Sequence, residues 1–289
     1  MGTPEPSRAH PATAWPPSRT AGLARSCHPG PVVAVTAIAG VLGVGVGLGG
    51  LRCALLVAAV LSGQLSVGWC NDAFDARRDA AAGRTGKPVA EGSVSRRTVW
   101  AAAFTAALLC VPLSFACGPL AGTVHVTAVA AAWAYNLRLK ATALSWLPYV
   151  IGFGALPAVA ALTLPGRPGP TWWAVTAGGL LGLAAHLGDV LPDIEDDLRD
   201  GVRGLPQRMG AAATGLLLPV PLVAASAVLA LGPAGPAGPW GAVTLAAAAP
   251  AALAGLLLAR TWRKAPLAAA AVIAAADVTL LLVRGTAPV

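Results

Sequence analysis

The chain has 289 residues, 56% apolar and 11% charged, with a net charge of +8 and a mean hydropathy of +0.69. Soluble domains carry about 25% charged residues, so this composition excludes a cytosolic globular enzyme, a disordered chain and a disulfide-stapled secreted module. The 34 Gly and 25 Pro follow no G-X-Y period, which excludes collagen. An integral membrane protein is left.

Residues 1–30 are rich in Pro, Arg and Ser and lack an apolar core, so they read as a disordered basic cytoplasmic tail rather than a signal peptide. From residue 31 a single transmembrane domain is expected to run to residue 289. A crossing helix needs roughly 20 apolar residues. Nine stretches qualify: 31–50, 53–71, 98–116, 119–137, 144–164, 171–191, 211–232, 239–259 and 266–283. No strand-type alternation appears, so the expected fold is an all-α bundle.

Positive charge orients it. With the N-terminus in the cytoplasm, the inside loops and tail (Arg8, Arg19 and Arg25 in the tail; Arg260, Arg263 and Lys264 in the last loop) hold 17 Lys and Arg, and only Arg52, Arg167 and Arg284 lie outside. The expected location is the cell's inner (plasma) membrane. The basic residues are split among short loops, so they are a topology signal and no nucleic-acid partner is expected. The five cysteines have no C-x-x-C spacing and read as small buried hydrophobes.

Ten of the 12 acids fall in two places: Asp72, Asp75, Asp79 and Glu91, then Asp189, Asp193, Glu195, Asp196, Asp197 and Asp200. Both follow the cytoplasmic ends of expected spans. Asn71, Asp75 and Asp79 are four apart, as are Asp189, Asp193 and Asp197. On a helix that spacing makes one face. Like charges there repel, and two facing stripes call for a cation between them. A hard dication with oxygen ligands, most simply Mg2+, meets that need.

The two places are also copies. A shift of 118 residues puts Asp75 on Asp193, Asp79 on Asp197, Gly83 on Gly201, Gly86 on Gly204, Pro88 on Pro206 and Gly92 on Gly210. A duplicated four-helix unit with a ninth helix added is expected, closing one acidic site across a central cavity. The loops GRTGKPVAEG and GVRGLPQRMG follow the stripes and bring Lys87, Arg203 and Arg208 near. Acids, a dication and basic side chains together suit a polyanion such as diphosphate.

These residues resemble the UbiA superfamily of intramembrane prenyltransferases. NDAFDARRD (Asn71 to Asp79) is similar to its N-D-x-x-D-x-x-x-D signature, and KPVAEGSVS to its R-P-x-x-x-G-x-x-S segment, with Lys87 in place of Arg. DVLPDIEDDLRDGVRGLPQRMG (Asp189 to Gly210) is similar to the D-x-x-x-D stretch and the L-P-x-x-x-G after it, and YNLRLK (Tyr135 to Lys140) to a Tyr…Lys element. Two departures stand out: Gly204 where Thr is common, and a Tyr135–Lys140 spacing of five.

The resemblance implies that a polyprenyl diphosphate binds with its tail among the helices. Asp75, Asp79, Asp193 and Asp197 would carry catalysis by holding Mg2+, with Asn71 assisting. Asp189, which continues the second stripe, would be a ligand or stand beside one. Asn71, Lys87, Lys140 and Arg203 would meet the diphosphate. The acceptor would be a small hydrophobic or aromatic molecule, such as a quinone precursor. Asp72 is one residue off the stripe and would orient contacts there; Asp196 and Asp200 read as solvated, and Glu91 as a loop salt bridge or a base.

Trp69, Phe74, Trp133, Tyr135, Trp146 and Tyr149 are read as interface or packing aromatics, any of which could face an allylic cation. His125 and His186 are read as packing residues or proton relays, and Asp277 as an acceptor contact or a helix-packing hydrogen bond. Three alternatives stay open: a UbiA-like terpene cyclase, a phosphoribosyl transferase acting on a lipid phosphate, and a cation-coupled transporter. A transporter should carry its acids near mid-bilayer, not at one face. A CDP-alcohol phosphotransferase is disfavoured, because AAAGR follows Asp79.

Overall fold

Ala, Leu, Val and Gly dominate the chain, and such runs satisfy their backbone groups within lipid by forming helix. A computed structural model describes residues 19–164, 166, 169–259, 261–262 and 264–285. The expected tail to residue 18, and Arg8, Arg167, Arg260 and Arg263, lie outside the described residues. The helices in chain order are α1 (Arg19–Ser26), α2 (Pro29–Gly45), α3 (Gly50–Ala81), α4 (Arg96–Ala116), α5 (Pro119–Leu137), α6 (Leu147–Leu162) and α7 (Trp172–Val190). Then come α8 (Ile194–Arg199), α9 (Leu205–Met209), α10 (Ala211–Leu217), α11 (Pro219–Leu231), α12 (Gly238–Leu258) and α13 (Ala265–Gly285). No strand occurs among the described residues.

Each apolar stretch read as a span contains helix. Among the described residues six helical segments are long and apolar enough to cross a membrane, or seven if α1 and α2, bent by 62°, form one span; α6, at 16 residues, is apolar but shorter. Large apolar side chains such as Leu108, Leu120, Leu231 and Trp240 are exposed on the outer faces. That surface suits lipid, not water.

The helices pack as a closed ring: α2 on α3, α3 on α5, α5 on α6, α6 on α7, α7 on α11, α11 on α13, and α13 back on α2. Two separate apolar cores form, and they do not follow the repeat, since α6, the counterpart of α2, packs with helices of the first copy. One joins α2, α3, α5 and α6 through residues such as Leu42, Leu56 and Val159; the other joins α7, α11, α12 and α13 through Leu187, Leu222, Leu229 and Ile273. A cavity of about 820 Å³ lies between the halves, with α4 and α12 outside its lining.

Shifted by 118 residues, α2 overlays α6, α3 ends where α8 ends, and α5 falls on α12. The local backbone repeats too. After α3, Gly83 (φ 63°) closes a turn in which Gly83 N donates to Ala80 O and Arg84 N to Asp79 O. After α8, Gly201 (φ 80°) does the same, with Gly201 N donating to Leu198 O and Val202 N to Asp197 O. Both are Schellman caps. Asp79 and Asp197, the last residues of the two four-apart stripes, therefore give their carbonyls to the caps and keep their carboxylates free of them.

Two local features differ from the reading above. The segment expected to be unstructured to residue 30 carries α1, which packs on α3 and α4, with Trp69 Nε1 donating to Leu23 O at 2.9 Å. Ala, Leu and Arg in RTAGLARS are good helix formers, and Leu23 finds an apolar seat beside Trp69 and Val94. The second stripe lies on a helical run, Trp172–Arg199, that is not a regular α-helix throughout. Pro192, which lacks an N–H, sits in a 3-10 turn at Leu191–Asp193 between α7 and α8. Asp189, Asp193 and Asp197 thus lie on three successive elements, whereas Asn71, Asp75 and Asp79 share α3.

Gly182 lets α7 touch α6: a Cβ there would lie 2.3 Å from the Tyr149 carbonyl oxygen. Gly182→Val should force these helices apart. The expected result is loss of the monodisperse peak in detergent size-exclusion chromatography, while Gly215→Val, with nothing within 4 Å, elutes like the parent.

Candidate active site

The C-terminal turns of α3 enter the cavity from one half, and the α7–α8 junction enters from the other. Asn71, Asp75, Asp79, Asp189, Asp193 and Asp197 all line this one cavity, together with Lys87 and Lys140. Asp75 and Asp79 are buried, Asp197 is half-buried, and Asp189 and Asp193 are exposed. The asymmetry follows from the backbone: α3 runs unbroken beneath α4, whereas α8 begins after the Pro192 turn at the rim.

Among the described residues no three His, Cys, Asp or Glu side chains converge tightly enough to hold an ion as they stand. Basic side chains occupy the space between the carboxylates instead. Arg84 reaches across the halves: Nη1 is 3.6 Å from Asp79, and Nη2 is 3.7 Å from Asp197 and 2.7 Å from Asp200. Lys140, in the turn after α5, holds both oxygens of Asp75, its contact to Oδ2 being 2.6 Å. Burial pulls the Lys140 ammonium below the usual lysine range, and the Asp75 carboxylate opposes that pull. Its Nζ also sits 5.4 Å from the centre of the Phe74 ring. Arg78 adds a 3.0 Å contact to Asp75.

Asp72 is buried off the cavity side, with Lys87 at 3.6 Å and His28 at 3.9 Å. Gln207 Nε2 donates to Asp197 at 2.8 Å, and Tyr149 donates its hydroxyl to Asp189 at 2.8 Å. Asn71 donates to Asn136 Oδ1 at 3.1 Å, and Asn136 in turn donates to the Val67 carbonyl at 2.9 Å. The Asn71 Oδ1, which accepts no hydrogen bond among the described residues, is left to ligate a cation. The second-motif loop docks on the Lys140 turn. Leu205 N donates to Ser145 Oγ at 2.9 Å, and a Cβ on Gly204 would stand 2.6 Å from the Lys140 carbonyl. The absence of a side chain at 204, the departure noted in the sequence, is what allows this contact.

Arg203 is not brought to the site. It is exposed and absent from the cavity wall, and its carbonyl accepts from Arg208 Nε at 2.8 Å, so neither basic side chain of GVRGLPQRMG lines the cavity. The two face solvent because α9 begins at Leu205 and turns them outward. Arg84, Arg78, Gln207 and Asn136 do line it, and the motif reading missed them. A signal existed for two: Arg84 follows the cap glycine directly, and Asn136 is a lone amide in an apolar helix.

Tyr135, Tyr149 and His186 form an aromatic cluster, with Tyr149 4.9 Å from His186 and 5.2 Å from Tyr135 between ring centres. Trp133 instead joins Trp100 and Phe104, away from the cavity lining. Asp277 is buried between helices and accepts from Ser226 Oγ at 2.6 Å. It makes a helix-packing hydrogen bond and is absent from the cavity lining.

The model of the UbiA prenyltransferase family matches residues 32–280. The chain belongs to the UbiA prenyltransferase family. It is a prenyl-transferring enzyme and a multi-pass membrane protein. No curated protein matches the chain by sequence.

Solved structures match its fold. A UbiA homolog from Archaeoglobus fulgidus bound to GPP and Mg2+ aligns with TM-score 0.68 and 14% identity, over 91% of this chain and 99% of that one. The apo UbiA homolog from Aeropyrum pernix K1 gives 0.64 and 19%, over 86% and 98%. A digeranylgeranylglyceryl phosphate synthase gives 0.65 and 15%, over 93% and 98%. At these identities the likeness is one of fold.

Proposed function

We propose that this UbiA enzyme is a Mg2+-dependent intramembrane prenyltransferase that moves a prenyl group from a polyprenyl diphosphate to a small apolar acceptor, an aromatic or quinone precursor. The observation that carries the reading is one cavity with carboxylates from both halves and basic groups from the first (Arg84, Lys87, Lys140) at one end, and an apolar wall (Val60, Leu156, Val159, Leu181) beyond it. A diphosphate with a hydrocarbon tail has the same division.

The donor set fits the metal. Asn71, Asp75, Asp79, Asp189, Asp193 and Asp197 can each ligate through oxygen, as Mg2+ prefers, and Asp79 Oδ1 is buried without a hydrogen-bond partner among the described residues. These residues would hold the ion, which supplies positive charge against the leaving diphosphate. Lys87, Lys140 and Arg84 are placed to face phosphate oxygens once the carboxylates have another counter-charge. The C–O bond breaks with its electron pair leaving on diphosphate. An electron-rich carbon of the acceptor attacks the allylic cation and then loses a proton. The apolar helices keep out water that would trap the cation as an alcohol, and Tyr135 and Tyr149 line the wall near the acidic end.

The remaining features belong to the same reading: nine crossings built from a duplicated four-helix unit and a last helix, a cytoplasmic N-terminus, and an active site at the cytoplasmic face of the inner membrane. The repeated helix bounds, the twin Schellman caps and the 17-to-3 split of basic residues support it. Membranes containing the chain, given radiolabelled geranyl or geranylgeranyl diphosphate, Mg2+ and a panel of aromatic acceptors, should yield prenylated product. EDTA should lower the yield at least 100-fold, and added Mg2+ should restore it. A cyclised hydrocarbon carrying no acceptor atoms, or no diphosphate release at all, would overturn the transferase reading.

A further inference from the structure

About two turns deeper than the acidic end, the apolar wall of the cavity is interrupted by two polar side chains, Gln64 on α3 and His125 on α5. Gln64 precedes Asn71 by seven residues, about 10 Å along a helix. Its side chain makes no hydrogen bond among the described residues. His125 is 6% exposed. Its ring stands against α3 where Gly63 has no side chain; a Cβ there would be 3.3 Å from His125 Nε2. Gly63 is the neighbour of Gln64, so both polar groups sit at one level.

The state of the imidazole follows from its partners. Ser114 Oγ lies 2.6 Å from the Cys110 carbonyl, which can only accept, so the serine proton is used there. Ser114 Oγ then accepts from His125 Nδ1, 2.7 Å away. Nδ1 carries the proton, and Nε2 is left as a lone pair with no partner among the described residues. A bare acceptor and an unpartnered amide within hydrocarbon are costly unless something binds them.

We propose that Gln64 and His125 form a polar subsite that binds a hydroxyl group carried by an otherwise apolar ligand. A hydroxyl satisfies both residues at once: its O–H donates to His125 Nε2, and its oxygen accepts from the Gln64 amide. The proposal deepens the functional reading above and takes from it that the carboxylate end holds the diphosphate. It then demands a hydroxyl roughly 10 Å further in, on the acceptor or on the donor's own tail.

The test uses the full chain in lipid nanodiscs, tritiated 4-pentylphenol and its methyl ether, with binding to empty nanodiscs subtracted. The parent should prefer the phenol by about tenfold, the worth of roughly one net hydrogen bond. In Gln64→Leu and in His125→Phe the preference should fall to about one. Ser114→Ala, which frees the imidazole without altering the cavity wall, should reduce it by a smaller factor. Equal binding of phenol and ether by the parent, or an unchanged preference in well-behaved Gln64→Leu protein, overturns the subsite.

A non-reactive geranyl thiolodiphosphate with Mg2+ separates the sources. If the phenol still binds beside it, the hydroxyl belongs to the acceptor; if the phenol is displaced, it belongs to the tail. The same analogue separates the two readings. Failure of the parent to bind it with Mg2+, while the phenol preference persists, sinks the functional reading and spares the subsite. The reverse pattern sinks the subsite alone.

Discussion

Asp79→Asn and Asp197→Asn should each lower prenyl transfer by about 10²–10³-fold, the usual cost of removing one group that stabilises charge developing in a transition state. The two positions are the same place in the two halves. Each is the residue whose carbonyl closes a Schellman cap, and each points its carboxylate at Arg84 from its own side. Asn keeps the side-chain shape and one oxygen while removing the charge, so the cap and the packing survive.

If both carboxylates grip one headgroup, the double variant should be little worse than either single one, because groups acting as a unit are non-additive. Steady-state turnover of a radiolabelled prenyl diphosphate in membranes measures this. Activity within tenfold of the parent in either single variant, or losses that multiply in the double, would mean that the carboxylates do not share a ligand.

The helices were legible because membrane spans announce themselves by length and apolarity, and because Gly, Pro and the caps punctuate them. Every stretch read as a span contains helix, and the twin turns at Gly83 and Gly201 are the physical reason that glycine recurs at that shift. The carboxylates were legible because acids are scarce in such a chain. What the spacing did not carry was the 3-10 turn at Pro192, since a four-residue repeat of Asp is satisfied equally by a regular α-helix or by a helical run interrupted there.

The basic residues were the least legible. Lys87, Arg84 and Arg203 sit in short Gly-rich loops, and Arg208 on the five-residue α9, where direction depends on single positive-φ residues and on what the next helix packs against. Lys140 and Asn136 reach the site through contacts 65 residues away in sequence, with Asp75 and Asn71, which no local pattern encodes. An isolated His in an apolar helix fits a packing residue or a proton relay equally; the place of His125 in the cavity wall depends on Gly63 of another helix.

Arg84 decides how the acidic end exists before any ligand arrives. Two rows of carboxylates facing each other across a partly dry cavity would repel, and the guanidinium of Arg84, whose side chain is 28% exposed, is the group that spans them. Its partners Asp79 and Asp197 are also the residues proposed to hold Mg2+. Guanidinium and dication then answer the same repulsion in turn, and once Mg2+ takes the carboxylates Arg84 is released toward phosphate oxygens.

Arg84→Gln should therefore destabilise the metal-free protein by about 1–3 kcal/mol, less than a fully buried pair would cost because the group is partly solvated. With saturating Mg2+ and a non-reactive prenyl diphosphate the deficit should shrink, because the ligands supply the charge that the variant lacks. Thermal unfolding in detergent, followed by intrinsic fluorescence with EDTA and then with Mg2+ plus the analogue, reads both values. A deficit of equal size in the two conditions would show that Arg84 is an ordinary structural tie between α8 and the loop after α3, with no part in handing the carboxylates to the metal.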